Sequence, residues 1–579
     1  MSSTSLRHPA DLNEPLAPSP AGEIPLVTPG EQRALRRVVH YQRLKERPFL
    51  DAERDKTTIL IGGLTRKHER FIQAVFQGCG YKCEILPTPD QADFHVGKEY
   101  GNNGQCSPAY FTAGSLIHFL KNREADGLSR QEINDRYVFF TAGSCGPCRF
   151  GMYAAEYRLS LQSAGFGGFR VIRFQQDHGV RQKSEEPGLK YTLDFGLGML
   201  KALYFGDVLN DLTHSIRPYE VNPGETDRVM EECVRDLCDH LRTYKAVDAL
   251  EKIPAWLSTR LAKRTILRHT VCVSSKFRDY LYGKECRDVL KRCRERIDRI
   301  EMDRTRLKPT VKIVGEFWAQ ITEGDGNYRM FEFLEREGAH VQPEVIGTWL
   351  TYLLFHARLQ MEPKRGLDPG GHEPDRWDLR RRLRTELGFR TRKTLLTVGE
   401  RIYTAQYHRV IDQLGKAAHR LVPQEQLSRL ADPFYKPLAR GGEGYLEVAK
   451  NIYYNNNRLC HMVLSLKPFG CMPSSQSDGI QSAVVNRFKE IIFLPIETSG
   501  EGDVNAHSRV QMTLGEAKAK AKSEFQDALA RSGRSLEEIR AFVAQHPELR
   551  RPFYHVPHRD GVAGVAANFV LHVSELMKG

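Results

Sequence analysis

Two cysteines, Cys145 and Cys148, lie in the glycine-rich stretch TAGSCGPCRFG at residues 141–151. The apolar residues before this stretch predict a β-strand over 136–140, and the spacing after it predicts a helix from about residue 150. Free backbone N–H groups and the helix dipole at such a junction favour negative charge. A Cys-x-x-Cys pair there is typical of a redox disulfide, half a zinc site or half an iron–sulfur site.

Two further cysteines occupy similar junctions. Cys106 follows a polar glycine turn and precedes a predicted amphipathic helix, and Cys471 separates a predicted strand from a predicted helix. Sites in parallel α/β sheets form beyond the carboxyl ends of the strands. We therefore expect all four cysteines to lie at such ends, where two facing domains can bring them together.

Strand-like and helix-like segments alternate along the chain, which predicts an α/β fold of two Rossmann-like, parallel-sheet domains with helical insertions. TTILIGG begins the first sheet at residue 57, and VKIVGEF begins the second near residue 310. The predicted organisation is a disordered tail and basic helix over 1–55, an α/β domain over 56–215 with Cys106, Cys145 and Cys148, a helical connecting region over 216–309, an α/β domain over 310–530 with Cys471, and a small C-terminal addition over 531–579.

The composition is that of a globular protein with sizeable cores, because 40% of the 579 residues are hydrophobic and 27% are charged. No segment approaches the roughly 18 consecutive apolar residues of a membrane span. The N-terminus lacks a hydrophobic signal core, so we expect a cytoplasmic protein. Twelve cysteines in a reducing compartment do not form a disulfide framework, and most of them are predicted to be buried.

A net charge of +13 is compatible with nucleic acid, an acidic protein or a phosphorylated ligand as partner. The basic runs are separated and contain acidic residues, which favours solvated helix faces over a nucleic-acid surface. A zinc-stabilised nucleic-acid-binding protein is the weaker alternative.

The spacing of the four loop cysteines favours iron–sulfur chemistry. Structural zinc sites usually use two short-spaced pairs, and only one close pair is present. A thioredoxin-like disulfide would leave Cys106 and Cys471 unexplained, whereas a [4Fe–4S] cluster accepts thiolates from scattered loops. Zinc, redox thiols and the absence of any site remain open alternatives. No G-x-x-x-x-G-K-[ST] phosphate loop is present, and the glycine loop at residues 441–444 is predicted to be an exposed turn.

Five segments carry a resemblance to a known family: GQCSPAYFTAGSL, TAGSCGPCRFGMYAAEYR, VKIVGEFW, KPFGCMPSSQSDGIQS and FLPIETSGEGDVNAHSRVQ. Together they resemble the 2-hydroxyacyl-CoA dehydratase and benzoyl-CoA reductase superfamily. The chain is most similar to its activase-associated branch, the dehydratase-like proteins related to the C-terminal regions of large acyl-CoA dehydratase activases. The resemblance extends from about residue 57 to about residue 525.

This resemblance implies an oxygen-sensitive, anaerobic [4Fe–4S] protein that holds its cluster between two Rossmann-like domains. A separate ATP-hydrolysing activator of the ASKHA type, itself an iron–sulfur protein, would supply one low-potential electron. The electron would serve the dehydration or reduction of an acyl-CoA-like substrate. By motif, Cys106, Cys145, Cys148 and Cys471 correspond to the cluster ligands, and ATP would act through the partner.

Dehydratase subunits tend to leave one iron open to substrate, whereas four cysteines would close the cluster. The alternative function is therefore a non-catalytic electron carrier or scaffold that docks to the activator. A double-cubane cluster would need more ligands, and Cys460 is the candidate, although core packing is the favoured interpretation of this residue. If substrate binds between the domains, loop position predicts four residues near the cluster: Glu316, Ser474, Ser475 and Asp478.

Overall fold

A computed structural model describes residues 46–143, 148–175, 188–243, 265–367, 371–373, 375, 377–439 and 442–578. These residues form two four-stranded parallel sheets surrounded by helices, which confirms the predicted α/β class with two Rossmann-like sheets. The predicted N-terminal tail, its basic helix up to residue 45, and Cys145 lie outside the described residues.

The first sheet has the strand order β2-β1-β3-β4, and all of its pairs are parallel. Its apolar strands are covered by helices on both faces, as a parallel sheet requires. The elements are β1 (Thr58–Ile61), α1 (Arg66–Gly78), β2 (Lys82–Ile85), α2 (Gln91–Tyr100), α3 (Ser107–Ala125), α4 (Arg130–Arg136), β3 (Tyr137–Gly143), α5 (Tyr153–Ser163) and β4 (Arg170–Gln175).

Among the described residues between the two sheets, four helices follow the first sheet, and the predicted burial of most of their cysteines is confirmed there. Cys233 and Cys293 are fully buried in the core that joins these helices to the sheet. The Cys233 Sγ lies 3.8 Å from the carbonyl oxygen of Cys293. The helices are α6 (Leu193–Ile216), α7 (Glu225–Thr243), α8 (Thr265–Tyr282) and α9 (Lys284–Ile297).

The second sheet repeats the topology of the first, with the order β6-β5-β7-β8 and parallel pairs throughout. Its central strands β5 and β7 are buried along their whole length. The elements are β5 (Thr310–Gly315), α10 (Met330–Arg336), β6 (His340–Gln342), α11 (Ile346–Leu359), α12 (Leu379–Gln413), α13 (Gln424–Ala431), α14 (Leu446–Asn456), β7 (Met462–Pro468), α15 (Met472–Arg487), β8 (Phe493–Thr498) and α16 (Asp503–Ser532).

The residues after 531 continue from the end of α16 into two helices, α17 (Leu536–Gln545) and α18 (Val565–Leu576). Phe525, Ile539 and Phe569 belong to one apolar core that these three helices share. The C-terminal residues thus pack on α16.

One predicted strand boundary was wrong, and one helix was missed. β3 begins at Tyr137 and continues to Gly143, because residues 130–136 form α4, whose start is capped by the Ser129 hydroxyl. A helix that the sequence pattern did not reveal, α2, lies between β2 and Cys106 and begins with an Asp90 capping box. Cys106 therefore caps the N-terminus of α3 between two helices, instead of directly following a strand.

In the part of the chain that the structure describes, no helix combines the length and the apolar character needed to cross a membrane.

Candidate metal centre

The two sheets meet through the loops at their carboxyl ends. The Phe111 ring on α3 lies 5.5 Å from the Trp318 ring, which follows β5. The backbone N–H of Ser107 donates to the carbonyl of Phe469 at 3.2 Å. The strand order of each sheet places its topological switch point between its two central strands, where α/β proteins form their sites.

Cys106 and Cys471 are brought together by a close approach of their loops. A Cβ at Gly470 would lie 3.2 Å from the Gln105 carbonyl oxygen and 3.5 Å from the Cys106 Cα. Gly470 also has a φ of +74°, which glycine adopts without strain. The PFGCMP segment thus packs against the start of α3, although residues 106 and 471 are far apart in sequence.

Cys148 lies in the turn before α5 and is partly buried. The backbone N–H of Phe150 donates to its sulfur at 3.5 Å. Burial chiefly, together with Glu443, Glu316 and Cys106, raises the pKa of the Cys148 thiol to about 12, although the Phe150 N–H lowers it. Cys148 is therefore close enough to these three groups to interact with them electrostatically.

Cys471 is buried at the N-cap of α15. Burial raises the pKa of the Cys471 thiol, and Glu316 and Glu443 raise it as well, whereas the hydroxyl and the backbone N–H of Ser474 lower it. Ser474 lies in the first turn of α15, where the helix dipole favours a thiolate.

Cys106 is buried, and its sulfur lies 3.0 Å from the hydroxyl oxygen of Tyr153. Burial, with Cys106 and Glu316 nearby, raises the pKa of Tyr153 well above its ordinary value. The phenol therefore keeps its proton and can donate it in a hydrogen bond to a Cys106 thiolate.

Two carboxyl groups complete the site. Glu316 directly follows β5 and accepts the backbone N–H of Ala319 at 2.9 Å, and Glu443 accepts that of Phe317 at 2.6 Å. Burial raises the pKa of both groups, and the charge of Glu316 raises that of Glu443 further. Burial and the proximity of the two acids therefore disfavour two carboxylates and favour protonated carboxyl groups.

The electrostatics of the site bear on the protonation of its cysteines. A redox-active cysteine and a metal ligand both act as thiolates, which nearby cations, helix N-termini or a bound metal stabilise. Here the main neighbours of Cys148 and Cys471 include two acids, and the pKa of both thiols is high. Three thiols with N–H or O–H donors at their sulfurs fit the donor set of a thiolate-bound iron–sulfur cluster, because hydrogen bonds to sulfur are part of such sites. Cys145 would be the fourth ligand and lies outside the described residues.

The other residues that the sequence suggested are placed differently. Ser474 lowers the pKa of the Cys471 thiol, whereas the Ser475 hydroxyl donates to the Cys471 carbonyl at 3.0 Å. Asp478, about one helical turn beyond these serines, pairs with Lys467.

Cys460 is not brought to the other cysteines. It precedes β7 and packs with Val314 and Val463, whereas Cys471 follows the same strand. The seven residues of β7 span about 20 Å at the usual rise of a strand. The two thiols therefore lie at opposite ends of this strand.

Sequence reasoning missed two residues of the site, Glu443 and Tyr153. The loop containing Glu443 was predicted to be an exposed turn, but Glu443 is only 7% exposed. Gly442, with a φ of +49°, lets this loop pack on Pro473 of the cysteine loop. The one available signal was a lone acidic residue between glycines before a helix.

Among the described residues, one group of metal-binding side chains has its ligand atoms within 4.8 Å of one another, formed by Asp90, Asp93 and His118. Asp93 and His118 are hydrogen-bonded to each other at 2.6 Å, and Asp90 and Asp93 form the capping box of α2. These contacts account for the group as a helix cap. Thiolates of an iron–sulfur cluster bind different irons and are spaced more widely than ligands of one ion.

No protein-family model matches the chain, and a search of curated proteins finds no match. The resemblance to the dehydratase superfamily therefore depends on the five motifs and on the site that they form.

Proposed function

We propose that this protein is a [4Fe–4S] redox protein of the 2-hydroxyacyl-CoA dehydratase type. It receives a low-potential electron from an ATP-dependent activator and uses it for dehydration or reduction of an acyl-CoA-like substrate. Cys106, Cys145, Cys148 and Cys471 hold the cluster. When bound, the cluster supplies one-electron chemistry at low potential.

The proposal is supported by the electrostatic interaction between Cys148 and Cys106, and by the close approach of Gly470, the neighbour of Cys471, to Cys106. These cysteines belong to loops from two different sheets, and a site between sheets is where α/β folds bind ligands. Hydrogen-bond donors near all three sulfurs favour thiolates, which is the form of cysteine that binds iron.

The surrounding side chains have separate roles in this proposal. Tyr153, Ser474 and the Phe150 N–H stabilise the thiolate form of their cysteines by hydrogen bonding. The Glu316–Glu443 pair holds a proton close to the thiols, where a substrate losing or gaining a hydroxyl would need one.

Anaerobic purification with iron, sulfide and zinc analysis and EPR tests the cluster. We expect about four irons with equal sulfide in the wild type, and loss of iron in both Cys148→Ser and Cys471→Ser. Cys460→Ser and Cys293→Ser are matched controls, because both remove buried cysteines away from the site. Zinc, or an iron content that all four variants share, would contradict the ligand assignment.

Turnover separates catalysis from electron carriage. The loaded protein is incubated with an activator, ATP and a 2-hydroxyacyl-CoA, and enoyl-CoA formation is followed by mass spectrometry. Ser474→Ala and Glu316→Gln should lower the rate of a catalytic protein at least about tenfold. Reduction of the cluster without any product would favour the non-catalytic carrier, for which the supporting argument is that four cysteine ligands would leave no iron open to substrate.

A further inference from the structure

The helix α12 has an unusually exposed first half. Its 35 residues correspond to about 50 Å of helix. Residues 379–384 are all exposed. Tyr403 is the first residue of the helix whose side chain is buried.

Large apolar side chains recur along this exposed half. Leu383, Leu387 and Leu395 are 61%, 53% and 70% exposed. Leu379, Leu383 and Leu387 follow one another at four-residue intervals, and Leu395 lies two such intervals beyond Leu387. Val398 and Ile402 continue the apolar surface toward the buried end of the helix. An apolar helix face exposed over this length is typical of an interaction site.

The body of the protein covers a different face of α12. Glu386 pairs with Arg365, the Arg365 guanidinium lies 5.5 Å from the centre of the Phe389 ring, and Lys393 pairs with Glu362. These contacts hold the helix from one side. They do not involve Leu379, Leu383, Leu387 and Leu395, which we call the leucine row.

The charge of the exposed half is strongly positive. Residues 379–402 contain eight lysines or arginines and two glutamates. Both glutamates have arginine partners, since Glu386 pairs with Arg365 and Glu400 pairs with Arg358. If a second copy of the chain packed on this face, two positively charged segments would meet, and their electrostatic repulsion would oppose the contact.

The leucine row also turns around the helix. A spacing of four residues advances the side-chain direction by about 40° per step, so Leu379 and Leu395 point about 160° apart. A flat membrane surface contacts a straight strip and would leave one of them in water. A groove that encloses the helix can contact both.

We propose that the first half of α12 is a docking helix for a protein that presents an apolar groove rimmed by aspartate and glutamate. The leucine row fills the groove, and the flanking arginines pair with its acidic rim. This inference is independent of the cysteine site.

The test uses the full-length chain and a designed helical hairpin with a leucine-lined groove and glutamate rims. A second hairpin with lysine rims is the matched probe, and binding is measured by fluorescence anisotropy. We expect micromolar binding of the glutamate hairpin, at least about tenfold weaker binding of the lysine hairpin, and weakening by salt. Leu383→Glu and Leu395→Glu should each weaken binding at least about tenfold, because they place an acid in the groove.

Met512→Glu is the control, since Met512 is 77% exposed on another long helix and its replacement should leave binding unchanged. All of the replaced side chains are exposed, so circular dichroism should show unchanged folding. Equal affinity for the two hairpins, or an unchanged affinity in Leu383→Glu, would overturn the proposal. A dimer in light scattering that Leu395→Glu dissociates, or leucine-dependent binding to phosphatidylserine vesicles without hairpin binding, would overturn it in favour of a second copy or a membrane.

Discussion

Buried carboxyl groups lie in two places near the second sheet, and their surroundings are opposite. Glu344 follows β6 and lies 3.1 Å from both the Lys312 and the Lys450 ammonium nitrogens. Burial by itself would raise the pKa of Glu344, but the two lysines lower it to about 2. Burial raises the pKa of both Glu316 and Glu443. The negative charge of Glu316 raises the pKa of Glu443 further.

This difference indicates what each region does. The Glu344 network pairs its carboxylate with two ammonium groups, and such pairing is the condition for keeping ions in a protein core. The cysteine site instead collects acids and thiols and leaves them as neutral, protonated groups. A site of this kind is suited to bind a metal centre and to hold a proton, whereas the Glu344 network is suited to hold α14 against the sheet.

Glu344→Gln should produce the largest effect on stability. The variant leaves two buried ammonium groups without their carboxylate, so we expect the free energy of unfolding to fall by about 3–5 kcal/mol. Urea denaturation of the metal-free protein measures it. Glu332→Gln, at a side chain that is 72% exposed, should cost almost nothing, and a loss below about 1 kcal/mol in Glu344→Gln would contradict the role given to the network.

Glu69 is a buried carboxyl group beside the first sheet, and its raised pKa makes the stability of the protein depend on pH. Its Oε1 accepts the backbone N–H of Gly63 at 2.9 Å, and burial raises its pKa from 4.5 to about 8. The folded protein therefore keeps a proton that the unfolded chain releases above pH 4.5, so this contribution to stability is complete below pH 4.5 and is lost as the pH rises through about 8. Its slope is at most about 1.4 kcal/mol per pH unit.

Glu69→Gln removes this dependence while keeping an acceptor for Gly63. Unfolding free energies measured between pH 5 and pH 8, two values chosen to lie inside the window of about 4.5 to 8, should fall less steeply in the variant than in the wild type. Parallel curves for the two proteins would show that the Glu69 pKa is not raised by folding.

Gly470→Ala tests the contact that creates the cysteine site. The new methyl group would meet the Gln105 carbonyl and also strain a backbone with positive φ, so we expect a loss of about 1–2 kcal/mol and release of bound iron. Gly502→Ala is the matched control, since Gly502 has a φ of +87° and open space around its Cα. The control should lose similar stability and retain its iron; equal iron retention in both variants would argue against the close approach at Gly470.

Glu443→Gln should have the smallest effect. An amide resembles a protonated carboxyl group and can still accept the Phe317 N–H, so we expect the metal-free protein to change in stability by less than about 1 kcal/mol at pH 7. A destabilisation as large as that of Glu344→Gln would show that Glu443 is an ionised, paired group and would remove the contrast between the two regions.

Local patterns in the sequence were sufficient for the fold class and for three of the loop cysteines. Buried strands such as TTILI and VKIVG are continuous apolar runs, and glycine marks their ends, so their alternation with helices predicts parallel sheets. The same local signals identified the helix starts after Cys106, Cys148 and Cys471. The helix α2 was missed because QADFHVGKEY has few apolar residues at helical spacing and is short.

Only the tertiary structure decided which of these residues meet. Cys460 and Cys471 look equivalent as cysteines near one strand, and the strand itself separates them. Glu344 and Glu443 are both single glutamates in loops. Glu344 acquires two lysine partners, whereas Glu443 interacts with a second acid and with the thiols of Cys148 and Cys471. Burial and long-range contacts set these pKa values, and no local pattern encodes which distant side chain will lie within a few ångströms of another. The sequence by itself determined the elements and where their loops begin; the packing of the two sheets determined the site.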